Sequence, residues 1–161
     1  MTGLIRRLRQ HHAIEHATVA VLFERRGRCK VFGLSDFGGF TLSGPFAADD
    51  VQAAAAEAIA RLQSGQANLA VTDLCGTTLV TTAALAAIGA LAGAGNRRVA
   101  NLPRAITFAV AGVALAPAAG RWLQRSLTTD ASVEGLAVGG VSELGGSPAR
   151  RRLRVHVTAG T

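Results

Sequence analysis

From Leu74 to Asn96 the chain carries no charged residue, and after a short basic loop holding Arg97, Arg98 and Arg104 the same holds from Ala105 to Gly120. As helices, these runs would extend roughly 33 Å and roughly 24 Å at 1.5 Å per residue. A hydrocarbon core about 30 Å thick takes about 20 residues, so the first run spans it unaided. The second spans it when residues as far as Leu123 join, with Arg121 snorkelling to the surface. A soluble chain of 161 residues has too little other material to bury both runs, so residues 74–124 are expected to form a transmembrane hairpin. The competing reading is an Ala- and Gly-rich hairpin buried in a soluble protein. Gly89-x-x-x-Gly93 supplies a flat face for close contact with another helix, a protein partner or a second copy of the chain.

Composition narrows the class. Charged residues make up 17% of the chain and hydrophobic ones 49%, against about a quarter charged in ordinary soluble domains, which excludes a disordered polymer. Two cysteines, Cys29 and Cys75, exclude a disulfide-dense scaffold and a four-thiolate zinc site. The start, MTGLIRRLRQHH, is charged rather than apolar and does not read as a signal peptide. The polar part is therefore expected on the cytoplasmic side of the inner membrane, with both thiols reduced. The net charge of +7 sits in clusters at Arg6-Arg7-Arg9, Arg25-Arg26-Arg28-Lys30 and Arg150-Arg151-Arg152-Arg154. With no Tyr, one Trp and no recognisable nucleic-acid module, the expected partner of these clusters is membrane lipid rather than nucleic acid, the alternative being simply solvated arginines in a high-pI chain.

Removing the hairpin leaves residues 1–73 and 125–161, enough for one split domain. Residues 3–25 read as a helix ended by Gly27. RCKVFGL and GGFTLSG read as two strands, and DDVQAAAAEAIARLQSG as a second helix capped by Asp49 or Asp50. NLAVTD reads as a strand leading into the apolar run. VEGLAVGGVSEL and RRLRVHVTA read as two more strands around a Gly-Gly-Ser-Pro turn. The expected architecture is α+β, in the order α-β-β-α-β, hairpin, β-β, with helices on one sheet face.

One motif suggests chemistry. His12, Glu15 and His16 stand at i, i+3 and i+4 of the first helix and so share a face. Two imidazoles a turn apart can bind one Zn²⁺, with the carboxylate placed as general base beside a metal-bound water. His12-x-x-Glu15-His16 is the H-x-x-E-H pattern of inverted zinc peptidases. Those enzymes take an acidic third ligand from a later helix, but the next long helix here has no Asp or Glu. Cys75, Asp73 and His156 are the candidates, and Cys75 suits zinc best while lying at a helix N-terminus that favours a thiolate. The alternative is structural: Glu15 hydrogen-bonded to a histidine or arginine, and two histidines that merely pack.

R-Q-H-H-A-I-E-H-A-T-V at 9–19 is similar to the N-H-A-x-E-H-A-T opening of an uncharacterised bacterial family of small membrane proteins, a domain of unknown function. The similarity extends through Asp36-x-x-Gly39, Arg61-Leu62-Gln63-x-Gly65, Cys75-Gly76-Thr77-Thr78 and Gln124-Arg125-x-x-Thr128-Thr129. His11 and Thr78 stand where that family tends to have Asn. The resemblance implies no activity; it implies that His12, Glu15, His16, Cys75 and Thr128-Thr129 are the positions to test. The expected function is an accessory or assembly subunit of a membrane complex, with a metal site on its first helix. A membrane-tethered zinc hydrolase and a metal or redox sensor are the competing expectations.

Overall fold

The computed structural model describes residues 2–96 and 99–160, so the loop arginines Arg97 and Arg98 lie outside the described residues. Two compact units emerge, one made of the chain up to Val71 and from Leu127 onward, the other of Thr72–Ser126.

The first unit is a mixed α+β layer. Helix α1 spans Thr2–Arg26 and ends at Gly27, whose positive φ only a residue without Cβ adopts cheaply. A hairpin follows: β1 (Phe32–Asp36) and β2 (Gly39–Gly44). Gly39 has no substitute there, because a Cβ would lie 2.1 Å from the Val155 carbonyl oxygen. Helix α2 (Ala48–Gln63) is capped two residues ahead of Asp49, the nearer expected cap: Ala47 is the N-cap, without a side-chain bond, and Asp49 and Asp50 fall in the first turn. They still oppose the positive end of the helix dipole. Strands β3 (Leu136–Ser147) and β4 (Arg150–Ala159) complete a four-stranded antiparallel sheet in the order β1-β2-β4-β3. The β3–β4 turn is Pro148-Ala149, and the glycines expected in it belong to β3.

Period-2 alternation sends Phe40, Leu42, Leu153, Val155 and Val157 to one sheet face. That face buries Ile14, Ala17 and Val21 of α1 and the expected α2 stripe of Val51, Ala54, Ala55, Ala58, Ile59 and Leu62. Ion pairs Arg26–Asp50 (2.7 Å) and Arg61–Glu24 (2.7 Å) tie the two helices along their solvent side.

The strand expected at NLAVTD does not form. Ala67–Ala70 is one 3₁₀ turn, closed by Leu69 N–H to Gln66 O and Val71 N–H to Asn68 O. So short an apolar run fits either structure, and its bonds are local because the segment pairs with no strand.

The second unit is a helical hairpin: α3 (Gly76–Ala94) and α4 (Leu102–Leu123), the latter running into a π-helical turn at Gln124–Thr128. Gly76–Ala94 and Leu102–Thr128 are long and apolar enough to cross a membrane. Their contact is built from small residues. A Cβ on Gly89 would stand 2.3 Å from Phe108 O, one on Gly112 2.3 Å from Leu85 O, and one on Gly93 2.7 Å from Ala105 Cα. The Gly89-x-x-x-Gly93 face is thus occupied by α4 of the same chain. The large apolar side chains point outward: Leu79, Val80, Ile88, Leu91, Ile106, Val110 and Leu115 are all more than half exposed.

Candidate metal centre

Helix α1 is held against the segment that returns after Ser126. Arg9 Nη2 donates to Thr129 O (2.9 Å), Asp130 N–H donates to Arg9 O (3.1 Å), and Gln10 Nε2 donates to Ser132 O. Within this clamp, His12 Nδ1 lies 3.0 Å from Thr128 O. One turn further along α1, His16 Nδ1 lies 2.8 Å from Ala70 O, the last residue of the 3₁₀ turn. A carbonyl oxygen only accepts, so both Nδ1 atoms carry the proton and donate. In a neutral ring the lone pair is then on Nε2. That is the arrangement in which metal-binding histidines are held, with Nδ1–H on a backbone carbonyl fixing tautomer and ring plane. The two rings lie edge to face, centroids 4.4 Å apart, with His16 buried and His12 half-buried.

Cys75 is the N-cap of α3, where its Sγ accepts from Thr77 N–H (3.4 Å). His12 and His16 belong to the first unit and Cys75 to the second. The other two candidate third ligands are engaged elsewhere. Asp73 pairs with Arg121 (3.0 Å), and His156, exposed on β4, has Nε2 3.2 Å from Ser142 Oγ.

Glu15 is buried, and its carboxylate accepts from Ser35 Oγ on β1. The carboxylate fills the space left by Gly33, where a Cβ would meet Oε1 at 2.0 Å. Neither Ser35 nor Gly33 was legible as its partner, since both read simply as strand residues. His11 lies on a different side of α1, fully buried, with Nδ1 donating to Asp36 O. Burial holds its pKa below the ordinary imidazole value. No motif encodes the backbone carbonyls of Ala70 and Thr128, although Thr128-Thr129 is a pair the family resemblance marks.

A buried Gln124 closes the second unit. Its side-chain oxygen accepts from Thr72 N–H (2.9 Å), and its amide donates to Thr72 O (2.8 Å) and Thr78 Oγ1 (2.9 Å). This ties the end of α4 to the start of α3, and so to the turn carrying Cys75.

Residues 7–141 match the family described as a domain of unknown function, DUF6391. An uncharacterised protein of Picosynechococcus sp. (strain PCC 7002) is 35% identical over 136 residues, which cover 76% of this chain and 65% of that protein. The chain thus spans about 65% of the length of the relative it matches. No solved structure matches it.

Proposed function

The chain belongs to the DUF6391 family, and from that premise we propose a membrane-anchored accessory or assembly protein with a zinc site on its first helix, His12 and His16 being the ligands there and Cys75 the third. The observation that carries the metal reading is the paired anchoring of His12 and His16 Nδ1 on backbone carbonyls. Two nitrogens and a sulfur suit Zn²⁺ in chemistry and leave one position of a tetrahedron for water or a partner's side chain.

The anchor is supported by the inverted polarity of the hairpin, with small residues between the helices and large apolar ones outside. Water would penalise that surface, whereas lipid would not. On this reading the polar unit faces the cytoplasmic side of the inner membrane, and Cys29 stays a thiol. A membrane-impermeant maleimide should label Cys29 only after the cells are broken; labelling of intact cells would reverse the orientation.

The accessory role is preferred to a zinc hydrolase because the carboxylate that would serve as base, Glu15, is engaged by Ser35 and packed on Gly33. Metal analysis of the full chain purified in detergent tests the site. Stoichiometric zinc is expected, lost in His16→Ala and Cys75→Ser. Metal-free protein, or metal content indifferent to both changes, overturns it. Native purification from membranes tests the role, and recovery only as a lone monomer would count against it.

A further inference from the structure

The sheet face turned away from α1 and α2 carries side chains the fold does not use. Phe32 and Leu34 of β1, Thr41 and Ser43 of β2, and Arg150 and Arg152 of β4 line one shallow groove on it. Register places Phe32 opposite Ser43 and Ser43 opposite Arg152, so two strand spacings separate the rims by about 10 Å. One rim is apolar: Phe32 is 63% and Leu34 64% exposed. Large apolar groups on an edge strand mark a surface with a use. The other rim is cationic. Arg154 is committed to Asp36 through two bonds, but Arg150 and Arg152 have no carboxylate partner among the described residues.

An apolar ridge beside unpaired guanidiniums, over a floor of hydroxyls, matches the boundary between phosphodiesters and acyl chains. A strand-adding peptide would use the outer edge of β1, whereas this cluster lies on its face. We propose that this sheet face docks on an anionic phospholipid leaflet. Phe32 and Leu34 enter the headgroup–acyl boundary, and Arg150 and Arg152 pair with phosphodiester oxygens. The proposal rests on the reading that α3 and α4 lie in lipid, because so small a contact needs a second anchor to persist.

The test uses the full chain reconstituted in vesicles of phosphatidylcholine, with or without phosphatidylglycerol. The one native tryptophan, Trp122 on α4, reports the hairpin. A Trp122→Phe, Phe32→Trp variant reports the sheet face. In anionic vesicles the introduced tryptophan should shift to the blue and be quenched by spin-labelled lipid, and high salt should reverse both. Adding Arg150→Ala and Arg152→Ala should lower the docked-to-undocked ratio about 30-fold, about fivefold per arginine. If the introduced tryptophan stays unquenched in both vesicles while Trp122 is quenched, docking is overturned and the face belongs to a protein partner. Equal quenching with and without phosphatidylglycerol overturns the role of the arginines. A Trp122 that no lipid quencher reaches overturns the anchor, and this proposal with it.

Discussion

At the scale of single residues, the molecule turns on which atom of each histidine is already occupied. His12 and His16 spend Nδ1 on carbonyls 116 and 54 residues away in the chain, so a change at either ring disturbs the return segment or the 3₁₀ turn as well as any metal. His16→Ala is therefore expected to lower stability in metal-free protein too, by about 1–3 kcal/mol, because a buried carbonyl loses its donor. Thermal unfolding with chelator present checks this. Gly33 makes the complementary point. Gly33→Ala drives a Cβ into the Glu15 carboxylate and should cost about 1–3 kcal/mol. A Gly33→Ala protein as stable as the native one would mean that Glu15 moves freely away from Ser35. The i, i+3, i+4 spacing of His12, Glu15 and His16 was legible from the sequence. It could not show that β1 would supply Ser35 to the carboxylate, since that contact depends on where the hairpin lies against α1.

At the scale of elements, the α3–α4 contact separates glycines that matter from those that do not. A Cβ on Gly112 would strike a backbone carbonyl, which cannot swing aside, while one on Gly76 would meet nothing within 4 Å. Gly112→Ala should lower the unfolding midpoint in detergent by the equivalent of about 1–3 kcal/mol, and Gly76→Ala should leave it unchanged or slightly raised. The β1–β2 hairpin carries the pH-sensitive contact. The Arg154 guanidinium bonded to Asp36 holds its carboxyl below the ordinary 3.8. A carboxyl with a depressed folded pKa adds stability above its unfolded pKa and loses it as pH falls through the folded value. Asp36 is more than half exposed, so solvent screens the pair and the contribution at neutral pH is at most about 1 kcal/mol. Asp36→Asn should thus be slightly less stable than the native chain at pH 7. The difference should vanish on acidification below the ordinary carboxylate range, as followed by denaturant titration at several pH values. A difference that persists in acid would trace to packing rather than charge.

At the scale of the whole molecule, a hairpin of two uncharged apolar runs inside an otherwise arginine-rich chain predicts its partition. Carbonate-washed membranes should retain the protein, and recovery in the aqueous fraction after ultracentrifugation would remove the anchor and the roles built on it. The sequence by itself determined the two apolar helices, the two amphipathic elements of the polar unit, the four strands and the imidazole spacing. Each of these follows from local period, charge exclusion or turn chemistry, which act over a few residues. Tertiary structure alone decided that NLAVTD curls into a 3₁₀ turn, since so short an apolar run suits a strand or a turn and this one pairs with no strand of the sheet. It alone also chose the carbonyls of Ala70 and Thr128 for the histidines, Ser35 for Glu15, and α4 rather than another chain for Gly89 and Gly93. Those partners are set by contacts between residues far apart in the chain, and no local pattern encodes which distant backbone a buried donor will meet.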